Sequence, residues 1–398
     1  MATSTSPNGV QAPAQARGRR DGQPRDDGLL VEVRDLKKFF PITRGFLRRH
    51  VGDVRAVDGV NLAIRQGQTH GLVGESGSGK TTTGRMLLRA IEPTDGEVWF
   101  QDRDIGWVDV ADLDDRQLRQ ARRNIKMVYQ DPYSSLNPRM TVQQIVGEHL
   151  LVNKKAHGRE LDRKVGGLLE LVGLRPEYAR RYPHAFSGGQ RQRLAIARAL
   201  SLQPQLLICD EPVSALDVSV QAQILKLLRD LQKEFGLSYL FVAHDLSVVE
   251  NVSDHVSVMY VGQIVESAPT GEIYSNPLHP YTEALMSAVP RPDPKATKKR
   301  IVLQGELPSP SNPPSGCYFH PRCRYAQEVC KTTPPALEEI KPNHYARCHF
   351  ARELKLEGVA AENIENTNAL YRRRDAPPTL PIAATPSPTE TTTTYRPR

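Results

Sequence analysis

The sequence lacks several features that would assign it to a membrane-embedded or secreted class. No apolar run approaches the ~20 residues that a membrane-spanning helix needs. Its start, MATSTSPNGVQAPAQARGRR, lacks the apolar stretch of a secretory signal. Cysteine is scarce, with 5 residues. We therefore expect a cytosolic chain whose cysteines are reduced thiols or metal ligands, and any membrane role is expected to come through a partner.

The composition that is present is ordinary for a globular protein. The chain has 398 residues, of which 39% are hydrophobic and 25% are charged. This length allows two or three domains. The formal net charge of +8 is compatible with nucleic acid, an acidic membrane surface or an anionic ligand as a partner, and equally with solubility alone.

Composition and periodicity divide the chain into four parts. Residues 1–28 and 356–398 are predicted to be mostly disordered tails. Residues 29–265 alternate strand-like and helix-like segments, which predicts a mostly parallel α/β sheet with a helical lobe at about 131–200. Residues 266–355, where prolines multiply, are predicted to form a smaller C-terminal module.

A glycine-rich segment carries the first chemical signal. The stretch GESGSGKT, from Gly74 to Thr81, fits G-x-x-x-x-G-K-[ST] and follows the strand-like THGLV. Glycines let successive N–H groups point at phosphate oxygens, Lys80 supplies a charge for the β- and γ-phosphates, and Thr81 supplies a hydroxyl for Mg²⁺. A tight turn without a ligand is the alternative, but the strand-to-helix context favours a nucleotide site.

Polar residues at the ends of other apolar strands extend this hypothesis. Asp210 ends the strand LLICD, where its carboxylate can hold Mg²⁺, and Glu211 can orient and deprotonate the attacking water. Gln130 and His244 follow further strand-like runs and can sense Mg²⁺ or the γ-phosphate. Each residue alone could be structural or simply solvated, so their order along the chain carries the argument.

The segment FSGGQRQRLAIARAL, from Phe186 to Leu200, begins with Ser-Gly-Gly and continues as a basic amphipathic helix. The free N–H groups at a helix start attract an anion. The segment therefore predicts a second anion-binding element.

The order of these motifs resembles the nucleotide-binding subunit of ABC ATPases over about residues 30–265. The resemblance implies a RecA-like P-loop core with an antiparallel β subdomain and an α-helical subdomain. The signature motif of the family matches residues 186–190, where Phe186 replaces the commoner Leu. The resemblance implies an aromatic residue that stacks on adenine, with Phe40 the preferred match and Phe39 the alternative.

The resemblance also implies residue roles in ATP hydrolysis. Glu211 is the implied base, with His244 and Gln130 completing the catalytic set, and Thr81, Gln130 and Asp210 serve Mg²⁺. The ATP of a partner chain would be capped in trans by Ser187, Gly188, Gly189, Gln190 and Asp217. The chain's own ATP would be bound by Phe40, Gly74, Glu75, Ser76, Gly77, Ser78, Gly79, Lys80, Thr81, Thr82, Gln130, Asp210, Glu211 and His244.

A second resemblance concerns the C-terminal part. The segment NPLHPYTEALMSAVPRPDP and the cysteine-containing stretch after it resemble the extension of oligopeptide/dipeptide importer ATPases, and LKKFFPITRGFLRRHVGDVRAVDGV resembles the second of the two ATPases in such systems. This implies a heterodimer with a related ATPase, two membrane permease subunits and an extracytoplasmic binding protein, at the cytoplasmic face of the cell membrane. The segment DPYSSLNPRMTVQQIV is where such subunits dock a permease helix.

Several alternatives stay open from sequence. The cargo can be an oligopeptide, a dipeptide, nickel or glutathione, and the dimer can be a homodimer. A soluble ABC ATPase acting on nucleic acid is a second class of function, although no nucleic-acid partner is expected. A docking subunit with a weak active site is a third class, against which the intact Glu211 argues.

Four cysteines are concentrated in one short segment. Cys317, Cys323, Cys330 and Cys348 have the spacing C-x5-C-x6-C-x17-C, which lacks the short pairs of zinc ribbons. Four thiolates can hold a [4Fe–4S] cluster, and the importer family carries one in this segment, so the cluster is the preferred prediction. The alternatives are zinc held by cysteines together with His320, His344 or His349, and unliganded thiols or an oxidation-prone pair of thiols. Cys209 is interpreted as a small buried residue.

Overall fold

A computed structural model describes residues 28–46, 49–288 and 301–358. The predicted N-terminal tail, except Gly28, and nearly all of the predicted C-terminal tail lie outside the described residues. No helix in these three ranges is both long and apolar enough to cross a bilayer.

The strands and helices follow the order that the sequence predicts for an α/β protein. The strands are β1 (Leu29–Arg44), β2 (Arg49–Arg65), β3 (Thr69–Val73), β4 (Asp95–Asp102), β5 (Gly106–Asp109), β6 (Ile125–Val128), β7 (Leu206–Asp210), β8 (Ser238–Ala243), β9 (His255–Tyr260), β10 (Gln263–Pro269), β11 (Glu338–Lys341) and β12 (His344–Ala346). The α-helices are α1 (Lys80–Leu87), α2 (Asp115–Asn124), α3 (Pro132–Ser135), α4 (Val142–Val152), α5 (Gly158–Leu171), α6 (Gly188–Leu200), α7 (Val218–Phe235), α8 (Leu246–Glu250), α9 (Thr270–Ser275), α10 (Pro280–Ser287) and α11 (Glu328–Thr332).

Two sheets organise these elements. A 4-stranded antiparallel sheet has the order β2-β1-β4-β5, and an 8-stranded sheet has the order β11-β12-β10-β9-β3-β8-β7-β6. Strands β9, β3, β8, β7 and β6 run parallel, while β10, β12 and β11 add antiparallel pairs. Strands β3, β7 and β8 are buried along their whole length, and their sequences do not alternate between apolar and polar residues.

The helical lobe lies where the sequence predicts it. Helices α3 to α6 occupy residues 132–200, between β6 and β7. Thr141 and Ser187 begin α4 and α6 with capping boxes, in which a side chain at each end of the first turn pairs with a backbone N–H group. Later in the chain, α7 ends at Gly236, whose φ of 63° is the left-handed conformation that glycine adopts without strain.

The C-terminal extension continues the main sheet instead of standing apart from it. β12 pairs with β10, and β11 pairs with β12, so the predicted boundary at residue 265 falls inside β10. One apolar cluster of the extension centres on Leu278, Ala346 and Ala351, and the large aromatic side chains of Tyr281 and Phe319 are buried as well. Backbone pairing to the larger sheet and these buried side chains together order the extension.

A buried carboxylate fixes the join. Glu266, on β10, is fully buried and accepts hydrogen bonds from the backbone N–H groups of Leu278 and His279 at 2.7 and 2.9 Å. It also pairs with Nε2 of His344, on β12, at 2.8 Å. One side chain thus ties three segments of the chain together.

Candidate functional site

The site lies along one edge of the parallel strands. β3, β8, β7 and β6 are neighbours with matched direction, so the segments that follow them meet at the same edge. The glycine-rich loop follows β3, Asp210 and Glu211 stand at the end of β7, His244 follows β8, and Gln130 follows β6. The sheet order brings together residues that are far apart in the sequence.

The glycine-rich loop depends on its glycines at three positions. Gly77 and Gly79 have φ values of 82° and 105°, which side-chain-bearing residues rarely adopt. A Cβ on Gly79 would lie 2.2 Å from the carbonyl oxygen of Ala56, and one on Gly74 would lie 2.1 Å from that of Met259. The loop is therefore packed against neighbouring backbone, with α1 starting directly after Gly79.

Lys80 is buried across the inside of the loop. Its ammonium donates to the carbonyl oxygens of Gly74 at 2.7 Å and Glu75 at 2.9 Å. Burial lowers the pKa of Lys80, while the nearby carboxylates of Glu211, Asp210 and Glu75 oppose that shift. The loop therefore holds a positive charge where phosphate oxygens would lie. Ser76 is exposed, Ser78 is buried and Thr82 is half-buried.

Thr81 and Asp210 form the second part of the site. The Thr81 hydroxyl donates to the Asp210 carboxylate at 2.8 Å. Burial raises the pKa of Asp210, and the hydrogen bond from Thr81 opposes this shift. A hydroxyl and a carboxylate oxygen side by side form a donor set that suits Mg²⁺, a hard cation that prefers oxygen ligands.

Glu211 lies within hydrogen-bonding distance of two other predicted site residues, Gln130 and His244. Its Oε2 accepts from Nε2 of Gln130 at 3.0 Å and lies 3.1 Å from Nδ1 of His244. Its φ of 45° places a non-glycine residue in the left-handed region, a strain that clusters at functional sites. The structure thus brings Gln130, Glu211 and His244 into one hydrogen-bonded group.

The signature segment forms the start of α6. The Ser187 hydroxyl accepts from the N–H of Gln190 at 3.4 Å, and the Gln190 side chain accepts from the N–H of Ser187 at 3.1 Å. A Cβ on Gly189 would lie 2.5 Å from Cγ1 of Val220, so α6 and α7 approach closely at this glycine. Gly188 and Gly189 occupy the first turn, whose N–H groups lack partners within the helix.

Two residues predicted to act in trans have local roles in the structure. Gln190 completes the capping box of α6. Asp217 caps α7, where it accepts from the N–H of Val220 and from the Ser219 hydroxyl at 2.8 and 2.9 Å. These backbone and hydroxyl bonds lower the pKa of Asp217. The spacing S-x-x-Q at 187–190 is the sequence signal that identifies such a capping box.

The two candidate adenine-stacking residues lie on β1. Phe40 is 38% exposed, and the ammonium of Lys38 lies 5.0 Å from its ring centre. Phe39 is half-buried, with the guanidinium of Arg55 5.8 Å from its ring. Adjacent residues of a strand point to opposite faces, so only one of the two rings can face a given base.

The four cysteines of the C-terminal segment line one pocket. Cys317, Cys323, Cys330 and Cys348 line a small, partly open pocket, together with His320 and His349. Burial raises the pKa of the Cys323 thiol to about 11 and that of Cys348 to about 12.

This cysteine pocket is not a formed metal site. Within the described ranges, no group of three or more His, Cys, Asp or Glu side chains is arranged to hold a metal ion. His344 does not line this pocket, and its Nε2 pairs with Glu266. Cys209 lies buried inside β7, as the sequence predicts.

Two contacts to the glycine-rich loop were not foreseen from sequence. The Arg322 guanidinium, in the extension, binds both carboxylate oxygens of Glu75 at 2.9 and 3.2 Å. The hydroxyl of Tyr281, on α10, accepts from the N–H of Glu75 at 2.9 Å. No local spacing signals either contact, because each joins residues more than 200 positions apart.

The fold and the site together define an ATP-binding cassette ATPase. The family model described as ABC transporter matches residues 57–214. A dimeric post-hydrolysis structure of the ATP-binding cassette MJ0796, bound to ADP and Pi, is 29% identical with a TM-score of 0.53, covering 61% of this chain and 99% of that one. The cassette cbiO1 of Clostridium perfringens is 28% identical with a TM-score of 0.52, covering 62% of this chain and 91% of that one.

The extension refines this class. The family model described as oligopeptide/dipeptide transporter, C-terminal region, matches residues 265–330. The oligopeptide transport ATP-binding protein AppF of Bacillus subtilis is 52% identical over 324 residues, covering 81% of this chain and 97% of the relative. The dipeptide transport ATP-binding protein DppF of Haemophilus influenzae is 49% identical with the same coverage. The chain belongs to the family of oligopeptide/dipeptide transport ATP-binding proteins.

Proposed function

We propose that this chain hydrolyses ATP to power the uptake of oligopeptides or dipeptides through a membrane permease. The observation that carries the proposal is the coexistence, in one chain, of the grouped Lys80, Asp210 and Glu211 site with the importer-type extension. Relatives that match over most of their length are named as oligopeptide and dipeptide transport proteins. None of the named relatives favours nickel, glutathione or nucleic acid as the partner.

The loop and β7 would hold the triphosphate and its metal. Lys80 places its ammonium against the β- and γ-phosphates, and the loop N–H groups from Gly77 to Thr82 surround them. Thr81 and Asp210 supply oxygen ligands to Mg²⁺, with Gln130 approaching from β6. Mg²⁺, when bound, neutralises charge on the phosphates. Phe40 stacks on the adenine ring, and Phe39 is the alternative.

Glu211 would act as the general base for the attacking water. Its carboxylate is held between Gln130 and His244, which orients the oxygen that accepts the proton. His244 would then donate a hydrogen bond to the γ-phosphate. Gln130 would report the presence of the γ-phosphate to the helical lobe that follows it.

A second subunit would complete the site. The N–H groups of Gly188 and Gly189 lie in the first turn of α6, where the helix dipole favours an anion. We assign them, with Ser187, to the γ-phosphate of ATP bound by a partner chain. Gln190 and Asp217 support this contact by capping α6 and α7. Loss of the γ-phosphate after hydrolysis removes the bridge and lets the subunits part.

The partners follow from this arrangement. We propose a heterodimer with a related ATPase, docked peripherally on two permease subunits at the cytoplasmic face of the membrane, and an extracytoplasmic protein that delivers peptide. The segment 131–146, at the start of the helical lobe, contains the exposed Tyr133 and is the proposed contact for a permease helix.

The cysteine pocket is proposed to hold a [4Fe–4S] cluster. The four thiols share one pocket, and the donor set of four thiolates is the one that such clusters use. A bound cluster would cross-link the segment from Cys317 to Cys348, which has short elements of secondary structure. Anaerobically purified protein should be brown and contain about four iron atoms per chain. Colourless protein without iron would contradict the cluster, and stoichiometric zinc would favour the alternative metal.

Reconstitution tests the transport function directly. The purified complex of both ATPases and both permeases is placed in liposomes, and uptake of labelled peptides is measured with Mg-ATP and the binding protein. We expect uptake that requires ATP and stops in the Glu211→Gln variant. ATP hydrolysis by the wild-type complex without uptake of any di- or oligopeptide would contradict the proposed cargo.

A further inference from the structure

The contact between Arg322 and Glu75 connects the extension to the glycine-rich loop. Arg322 lies in a short 3₁₀ turn (His320–Arg322) between Cys317 and Cys323. Its two terminal nitrogens bind the two carboxylate oxygens of Glu75, 247 positions earlier in the sequence. Such two-pronged pairs fix direction as well as distance. The extension therefore holds the second residue of the loop in one orientation.

Glu75 is held at three points, and each contact bears on the loop. Its side chain pairs with Arg322, its N–H donates to the Tyr281 hydroxyl at 2.9 Å, and its carbonyl accepts from the Lys80 ammonium at 2.9 Å. A shift of Glu75 would move an acceptor that fixes the Lys80 side chain. Glu75 thus links Arg322 to the Lys80 ammonium, which would bind the phosphates.

Arg322 is placed at an energetic cost. Its side chain is 8% exposed, and its Nε is buried without a hydrogen-bond partner. Burial alone would lower the pKa of the guanidinium, but the hydrogen bonds to Glu75 and Tyr260 outweigh it and raise that pKa. A buried charge is tolerated when a partner compensates it, and here the compensating carboxylate belongs to the loop.

A neighbouring arginine provides a contrast within the same segment. Arg324 is half-exposed and pairs with Glu283, on α10, at 3.0 Å. It also donates to the Tyr325 hydroxyl. Arg324 therefore pairs within the extension, whereas Arg322 reaches out of it and contacts the loop that the nucleotide would occupy.

We propose that Arg322 is a positioning residue for ATP binding, which acts by holding Glu75 and through it the Lys80 side chain. The proposal rests on the nucleotide site proposed above. The extension is then a functional part of the ATP site. Loss of Arg322 should weaken ATP binding and leave the hydrolytic step nearly intact, because Glu211 and Asp210 stand on a different strand.

The test measures Mg-ATP affinity by calorimetry in a Glu211→Gln background, where turnover does not interfere. We expect Arg322→Ala to raise the Kd about 10-fold, the loss of one charge-assisted pair. Arg322→Lys should lie between, since a lysine keeps the charge without the two-pronged geometry. With Glu211 restored, KM for ATP should rise by a similar factor while kcat changes less than about two-fold.

Two further variants separate positioning from folding. Glu75→Gln should raise the Kd as Arg322→Ala does, and the double variant should be no weaker than the worse single one, because both remove the same interaction. If Arg322→Ala does not fold, Glu75→Gln and Arg322→Lys decide the question. Arg324→Ala is the matched control and should leave the Kd unchanged.

The outcomes distinguish this inference from the nucleotide site itself. If the parent protein does not bind Mg-ATP, the proposed site fails. If the parent binds but folded Arg322 and Glu75 variants bind equally tightly, or if their effects add in the double variant, the positioning role is wrong. An equal loss of affinity in Arg324→Ala would likewise assign the effect to general destabilisation of the extension.

Discussion

The cassette core and the C-terminal extension are held together by different forces. The core has a broad apolar cluster that runs from the antiparallel sheet to the parallel strands. The extension buries aromatic side chains of its own and adds polar contacts: Glu266 with His344, Arg322 with Glu75, and the Tyr318 hydroxyl with Asp58 at 2.9 Å. The comparison shows that single polar side chains can anchor a smaller region to a larger neighbour.

The largest effect is expected from removing the carboxylate that joins the two regions. Glu266→Ala leaves three buried donors without an acceptor, so it should destabilise the extension by about 3–5 kcal/mol. Limited proteolysis with mass spectrometry should show cleavage after residue 269 while the core stays protected. Glu328→Ala, which removes the exposed pair with Lys331, is the matched control and should leave the stability of the extension nearly unchanged. Equal protection of the extension in both variants would contradict the comparison.

Within the core, the largest effect is expected at Glu211. Glu211→Gln keeps the size of the side chain but removes the base, so hydrolysis should slow at least ~100-fold while ATP still binds. Turnover is measured by phosphate release and binding by calorimetry. Because this variant leaves the extension untouched, it separates hydrolysis in the core from positioning by Arg322. Turnover near that of the wild type would overturn the assignment of the base.

A smaller effect is expected where two core helices approach at a glycine. Gly189→Ala places a methyl group 2.5 Å from Cγ1 of Val220, so α6 and α7 must move apart at the signature segment. We expect ATP-dependent pairing with the partner subunit to weaken about 10-fold, in line with the cost of overpacking. Gly167→Ala, at an open position on α5, is the matched control. If both variants pair as the wild type does, the close packing at Gly189 does not contribute to pairing of the subunits.

The smallest effect concerns the loss of stability in acid, to which a buried histidine of the core contributes. His70, on the central strand β3, is buried. Its burial, and to a lesser extent the charge of the neighbouring His255, lower its pKa to about 3. Below pH ~6.5 this histidine binds a proton in the unfolded chain but not in the folded one. The free energy of unfolding is therefore highest above that pH and falls as the pH decreases.

Urea unfolding at pH 7 and 5.5 checks this sign. Between pH 7 and 5.5, we expect the free energy of unfolding of His70→Gln to fall by about 1 kcal/mol less than that of the wild type. His50→Gln, at an exposed position on β2, should behave as the wild type does. A loss in His70→Gln as large as in the wild type would show that this histidine does not contribute.

The comparison also explains what could be predicted from the sequence. The core site was predictable because each residue follows an apolar strand, and parallel neighbours place such residues at one edge. Local spacing is enough to recognise each of them: Gly74–Thr81, Asp210, Glu211, Gln130 and His244. The structure brings Gln130, Glu211 and His244 together, as that reasoning requires.

The contacts of the extension could not be predicted in the same way. Arg322 and Glu75 carry no mutual spacing signal, and the pairing of β12 with β10 depends on a return of the chain after a long irregular segment. The caps that Gln190 and Asp217 form are signalled by local sequence, while their contact with a partner's nucleotide stays a prediction. A module with many prolines and short helices and strands gives no long periodicity from which its docking can be inferred.

The central claim is that two cassettes share ATP, each supplying the helix start that completes the other's site. Sedimentation velocity of the Glu211→Gln chain with its related ATPase measures this most directly. The account predicts a stable pair with Mg-ATP and separate subunits with Mg-ADP or without nucleotide, with Ser187→Arg preventing the pair. Subunits that bind Mg-ATP but stay separate, or that pair equally well with Mg-ADP, would contradict it.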